Sequence, residues 1–251
     1  MIKNTLLTLK YIIILNIFFT YSAFSEETSV TFDDGSSYEG EVVNNLLEGK
    51  GVFKSANNTY VYTGEFKGGT FEGKGILKYD NGIEYDGNFV NGKMHGKGIY
   101  KSSDGASYDG FYVDGNREGK GKLKSSDGVV YEGDFKKDKI EGIGKMIFET
   151  GEYQGSFING LFQGNGNLIF KEGTTYKGEF YNGTYNGKGI LMYPDGSYYE
   201  GQFKNGYKDG QGEVVFIDNT RQSGISKEGN FIGEVTITFP DGTIQKQDFS
   251  K

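Results

Sequence analysis

A tyrosine recurs along this chain about every 23 residues, at Tyr38, Tyr62, Tyr85, Tyr108, Tyr131, Tyr153, Tyr176 and Tyr199. Each is followed two residues later by glycine, and eleven residues later by the first glycine of a Gly-x-Gly pair. The interval from tyrosine to glycine pair is the same in all eight copies. The slack falls between that pair and the next tyrosine, where Asp-Gly and related dipeptides sit. Self-similarity at a fixed period argues against one globular core. It predicts an array of small units, each stabilised by its neighbours.

Within one copy, YDGNFVNGKMHGKG at 85–98, two short runs alternate with turns. Tyr85, Gly87 and Phe89 point one way and Asp86 and Asn88 the other, the period of a strand. The second run places Gly96, Gly98 and Tyr100 on one face, with Lys97 and Ile99 opposite. Asn-Gly and Asp-Gly tolerate positive φ and mark the turns. The unit is therefore a β-hairpin, too small to be stable alone. Glycine makes up 42 of 251 residues, against a usual ~7%. Glycine inside a strand weakens it unless something lies close against the backbone. A Tyr or Phe ring laid over the glycines of an adjacent strand is the simplest candidate.

The form Y-x-G-x-F-x-x-G-x-x-x-G-x-G, followed by an apolar strand and Asp-Gly, resembles the MORN repeat, most closely at 85–98 and 176–189. The resemblance covers residues 38–212. It implies an all-β fold, an elongated single-layer sheet of stacked hairpins, used mostly for protein contacts and sometimes discussed as a lipid-binding surface. Members of the family often join the array to a catalytic domain, and no such domain remains here once the repeats are counted. Eight copies at two strands each and ~4.8 Å per strand would extend roughly 75 Å.

Residues 1–25 read as a secretory signal peptide: Lys3 and Lys10, then an apolar segment, then Ala23-Phe24-Ser25 before Glu26. Tyr11–Phe24 gives 14 residues interrupted by Asn16, short of the ~20 that a membrane span needs. No stable transmembrane span is expected after cleavage, and the chain is expected to be exported: secreted, periplasmic or bound to the cell envelope. Residues 26–37 read as an N-terminal cap, 38–212 as eight repeats, and 213–251 as a degenerate repeat and C-terminal cap. In that last stretch, Glu228–Phe231 echoes the unit, with Lys227 in place of the tyrosine. Copy five reaches its next tyrosine one residue early, which should change a turn but not strand register.

Catalytic chemistry finds little purchase. The one histidine, His95, occupies a slot held by Glu72, Glu118 and Glu141 in other copies, and reads as a solvated turn residue. Asp80, Asp104, Asp127 and Asp195 recur at turns, where turn propensity accounts for them without a calcium site. No Gly-x-Gly pair opens a helix or ends in a P-loop lysine and hydroxyl. Catalytic, cofactor-binding and metal residues are thus expected to be none. The chain has no cysteine, so neither disulfides nor thiolates contribute. Cleavage after Ser25 would leave 25 basic against 34 acidic residues, a net of −9, which argues against nucleic acid.

What remains is the aromatic face. With 19 Tyr and 20 Phe on a sheet one layer thick, some rings are expected to stay open for a partner. The candidate interaction face is Tyr85, Phe89, Tyr108, Tyr131, Phe135, Tyr153, Phe157, Tyr176, Phe180, Tyr199 and Phe203. The expected function is an exported, non-enzymatic scaffold mediating protein–protein interaction. An envelope glycan- or lipid-binding module is the alternative, and a polymer hydrolase a remote third.

Overall fold

Two kinds of turn alternate along the chain, and each follows from its residues. At Asn91-Gly92 both residues take positive φ (50° and 74°), the tight two-residue turn whose twist suits a hairpin. At Asp104-Gly105 only the glycine does (88°), and the aspartate carboxylate accepts the Ala106 N–H at 3.0 Å. In the computed structural model, which describes residues 26–250, these turns join twenty antiparallel strands, with no helix among the described residues. The fold is all-β, an open sheet laid down as successive hairpins. The expected signal peptide, 1–25, lies outside the described residues.

Contacts divide the chain into two units. The first, residues up to 127 together with 135–138, carries β1 (Glu26–Thr31), β2 (Ser37–Val43), β3 (Leu46–Lys54), β4 (Tyr60–Lys67), β5 (Thr70–Tyr79), β6 (Glu84–Val90), β7 (Lys93–Lys101), β8 (Ser107–Val113) and β9 (Asn116–Lys124). The second, residues 128–134 together with 139 onward, takes most of β10 (Val130–Lys136). It continues through β11 (Lys139–Phe148), β12 (Gly151–Ile158), β13 (Leu161–Phe170), β14 (Thr175–Tyr181) and β15 (Thr184–Met192). It ends with β16 (Tyr198–Lys204), β17 (Tyr207–Val215), β18 (Arg221–Lys227), β19 (Asn230–Thr238) and β20 (Ile244–Asp248).

Register explains the glycines. In the first unit Gly64, Gly75, Gly87, Gly98 and Gly110 oppose one another in turn across five strands. The Tyr85 ring lies over this row, and a Cβ at Gly87 or Gly98 would come within 3.0 Å of the phenol. Just past Gly87 the register shifts, so that Asn88 opposes His95 and the two residues Gly96 and Lys97 bulge out. Gly96 supplies the positive φ this needs, 62°. Its neighbour two residues on, Gly98, supplies the room for the ring. The Tyr85 hydroxyl reaches across its own glycine and donates to the Asn88 carbonyl at 3.0 Å, at the point where the bulge interrupts the ladder. The same bond recurs in every copy, from Tyr38 to Glu41 at 3.0 Å through Tyr199 to Gln202 at 3.2 Å.

The C-terminal end corrects one expectation. Glu228 and Gly229 both have positive φ (50° and 95°) and form the tip joining β18 to β19, so they do not open a new strand. The ninth first strand is β18, where Gly224 opposes Gly212 and Gln222 opposes Val214, the register that Tyr199 occupies one hairpin earlier. At the short copy, Phe148 opposes Gly151 around a two-residue turn, and Met146 still opposes Tyr153, so register holds.

Candidate interaction surface

The rings assigned to an interaction face are the core. Tyr85, Phe89, Tyr108, Tyr131, Phe135, Tyr153, Phe157, Tyr176, Phe180, Tyr199 and Phe203 are each between 0% and 3% exposed. This corrects the expectation that a single layer must leave them open. The physical reason is interlocking. Phe89 stands edge-on between two tyrosines, Tyr62 of the previous copy (5.1 Å, 90°) and Tyr85 of its own (5.1 Å, 86°). Phe180 repeats this between Tyr153 and Tyr176, and Phe203 between Tyr176 and Tyr199. Edge-to-face pairs contribute about 0.5–1.5 kcal/mol each beyond the area they bury.

A column that the sequence reading did not single out completes the cover. In five copies the residue nine beyond the tyrosine lies over its ring: Phe71 stacks on Tyr62 at 3.8 Å, Phe162 on Tyr153 at 3.7 Å and Tyr185 on Tyr176 at 3.8 Å. Two copies use cations instead, with Arg117 5.6 Å from the Tyr108 centroid and Lys208 4.8 Å from that of Tyr199. Phe, Tyr, Arg and Lys share no single type, which hides the column from a pattern of residue identities. Burial raises the phenol pKa of Tyr38, Tyr108 and Tyr153 to about 12. These hydroxyls remain neutral donors to the bulge carbonyls.

The polar slots are equally engaged. His95 lies within β7 and not in a turn, and its Nδ1 accepts the Asp114 N–H of the next hairpin tip at 3.5 Å. Glu72, Glu118 and Glu141 accept tip N–H groups from Asn91, Lys137 and Asn159 at 2.9–3.0 Å. The slot thus stitches one hairpin to the tip of the next. Asp195 accepts both the N–H and the hydroxyl of Ser197, at 2.9 and 2.6 Å, which holds its carboxyl below the usual range.

Surface open to a partner lies on the side opposite the rings. In the first unit a groove of about 750 Å³ crosses β1 to β5 on that side, with Ser29, Glu39, Lys50, Val52, Thr63 and Lys74 in its lining. The residue three beyond the second glycine of each pair also faces this side. In the first unit it is Lys54, Lys78, Lys101 and Lys124, all exposed. In the second it is Ile147, Ile169, Met192 and Val215, of which Ile147 and Met192 are 44% and 43% exposed and Val215 is buried.

The Arabidopsis thaliana protein TIC 100 is 42% identical over 57 residues, 23% of this chain and 6% of that protein, so the chain spans only a small part of that relative. Two structures of the TCP10 domain of Danio rerio CPAP are similar at 13% identity. A point mutant gives a TM-score of 0.42 over 88% of this chain and 99% of that domain. The wild-type domain, solved with a peptide of Danio rerio STIL, gives 0.32 over 88% and 98%. Likeness at that level carries no argument about function. The MORN repeat pattern matches eight times in succession, at residues 38–60, 62–84, 85–107, 108–130, 131–152, 153–175, 176–198 and 199–221, and the chain belongs to the MORN repeat family.

Proposed function

We propose that this chain is an exported, non-enzymatic repeat scaffold that holds a protein partner on the side of the sheet opposite its rings. The observation that carries this is the division of labour between the two sides. The rings are consumed in their own packing, while the opposite side keeps a groove and regular rows of exposed side chains. Membership of a repeat family that serves as interaction scaffold supports the non-enzymatic part. The charged and apolar segments before Glu26 support export. A second reading, an envelope glycan- or lipid-binding module, draws on the exposed Ile147 and Met192 of the second unit.

In-cell crosslinking of the tagged full-length protein tests both readings. The control carries Lys54→Glu, Lys101→Glu and Met192→Glu, exposed positions whose change leaves the ring core intact. One dominant protein, captured by the wild type and lost in the control, is the expected result. No capture above that control, with retention on polysaccharide or liposomes instead, sinks the protein scaffold and leaves the module.

A further inference from the structure

Four hairpin tips are Asn-Gly pairs of one conformation: Asn91-Gly92, Asn159-Gly160, Asn182-Gly183 and Asn205-Gly206. Their asparagines have φ of 50°, 51°, 49° and 52°, and their glycines 74°, 81°, 83° and 88°. Each glycine N–H donates to a carbonyl of the preceding hairpin, those of Phe71, Ile140, Phe162 and Tyr185 in turn, and all four bonds are 2.9 Å. The other Asn-Gly pairs lie in a different turn, at 81–82, or inside strands, at 165–166 and 186–187. The four tips are thus alike in sequence, in shape and in one bond.

They differ in a second bond. The residue ten beyond each tyrosine is the slot facing the first N–H of the next tip. Glu72 accepts that of Asn91 at 3.0 Å, Glu141 that of Asn159 at 3.0 Å and Gln163 that of Asn182 at 3.1 Å. Asn186 holds the slot before Asn205 and makes no such bond among the described residues. Its side chain is one methylene shorter than that of Gln163. Asp209, shorter than Glu by the same amount, likewise makes none to Glu228 among the described residues. Asn205 and Gly206 are both exposed, whereas Gly92 and Gly160 are half-buried.

We propose that Asn205-Gly206 is a modification site, the tip at which this chain first deamidates and isomerises without an enzyme. The Gly206 nitrogen, giving its proton to hydroxide, attacks Cγ of Asn205. An N–Cγ bond forms and the Cγ–Nδ2 bond breaks, and Nδ2 takes a proton from water and leaves as ammonia. The cyclic imide then adds one water. Opening at the Cγ carbonyl gives aspartate, and opening at the main-chain carbonyl gives isoaspartate, with the chain running through Cγ. The attacking nitrogen is the one bonded to Tyr185, so the tip must first lift off the preceding hairpin. At Asn205 that breaks one bond. At Asn182 it breaks two, and at Asn91 the second is to a carboxylate. A neutral hydrogen bond shifts such an opening roughly two- to tenfold, and a charge-assisted one roughly tenfold or more. Asn159 is held further, its Oδ1 accepting from Lys139 Nζ at 2.8 Å. Isoaspartate lengthens a two-residue turn whose twist is matched to its strands, and adds a negative charge to it. The site is independent of what the open side binds.

The test ages the full-length protein at about pH 9 and maps its peptides by mass spectrometry after digestion at mildly acidic pH. The one-dalton gain reports conversion, and chromatography separates isoaspartyl from aspartyl peptides. Rates in concentrated urea supply each tip's unfolded reference and remove the influence of its sequence neighbours. The ratio of folded to unfolded rate is expected to be largest at Asn205, at least threefold lower at Asn182 and at least tenfold lower at Asn91. Asn186→Gln should slow Asn205 at least threefold, a change that unfolding cannot produce. Gln163→Ala, with an unchanged circular dichroism spectrum, should bring Asn182 up to the ratio of Asn205. Equal ratios at the four tips overturn the inference, as does an Asn205 rate that Asn186→Gln leaves unchanged. So does an Asn205 that stays intact in the fold after its unfolded reference has fully converted.

Discussion

The two units make the same core and present different surfaces. On the ring side Tyr62, Phe66 and Gly75 of the first unit have direct counterparts in Tyr176, Phe180 and Gly189 of the second, down to rings at 5.1 and 5.0 Å and the hydroxyl bond to the bulge. On the other side, one and the same position reads Lys54, Lys78, Lys101 and Lys124 in the first unit. In the second it reads Ile147, Ile169, Met192 and Val215. A position whose side chain must fill a fixed space under a ring has no freedom. An exposed position on the open side, such as Lys101 or Met192, has nearly all of it. The difference between units therefore reports on what each surface meets, while their sameness reports on folding.

Alkali should give the largest effect and strike both units alike. Burial keeps the tyrosines protonated to higher pH in the fold than in the unfolded chain, where they ionise near pH 10. Between pH 10 and about 12, the value reached by Tyr38, Tyr108 and Tyr153, the unfolded state therefore binds fewer protons, and stability falls as pH rises. It is complete below pH 10. Tyrosinate absorbance from the buried ladder and far-UV circular dichroism should change together in one steep transition. Ionisation of the ladder tyrosines Tyr38, Tyr108 and Tyr153 near pH 10 with the strands intact would contradict the packed ladder.

Truncating one rung comes next. Tyr85→Ala and Tyr176→Ala each leave a cavity over a glycine row and are expected to cost about 3–5 kcal/mol in urea denaturation. The two costs should agree within about 1 kcal/mol if the cores are equivalent, and a larger gap breaks the comparison. Tyr85→Phe and Tyr176→Phe are gentler. Each keeps the ring and leaves the Asn88 or Glu179 carbonyl without its donor, for an expected loss of about 1–2 kcal/mol. The smallest effects belong to the open side. Lys101→Ile and Met192→Lys exchange the chemistries of the two units and should each shift stability by less than about 0.5 kcal/mol. A cost above about 1 kcal/mol would mean that the open side, too, is part of the core.

The hairpins, their turns and the placing of rings over glycines were legible in the sequence, because each depends on local rules: period two, positive φ at Asn-Gly, and the absence of a Cβ. The fate of the rings was not. Alternation tells which side Phe89 points to, but not that it stands edge-on between Tyr62 and Tyr85 and so closes the layer on itself. That depends on a neighbour 27 residues away and on ring tilt. The covering column was missed for a related reason. Phe71, Arg117 and Lys208 do one job with unlike side chains, so no repeated letter marks it. His95 was placed in a turn because the bulge at Gly96 and Lys97 lengthens its strand in a way that spacing alone does not reveal.

The glycine row has a consequence for how such a chain can change length over time. Gly75 meets Gly87 across the joint between two hairpins just as Gly87 meets Gly98 within one. Within each unit every joint described therefore offers its neighbours the same face. A duplication or loss of one whole period by recombination leaves both flanking joints satisfied, whereas the same event in a globular core would strand half of its contacts. Reach becomes a quantity that heredity can adjust in whole steps, independently of what the open side has come to recognise.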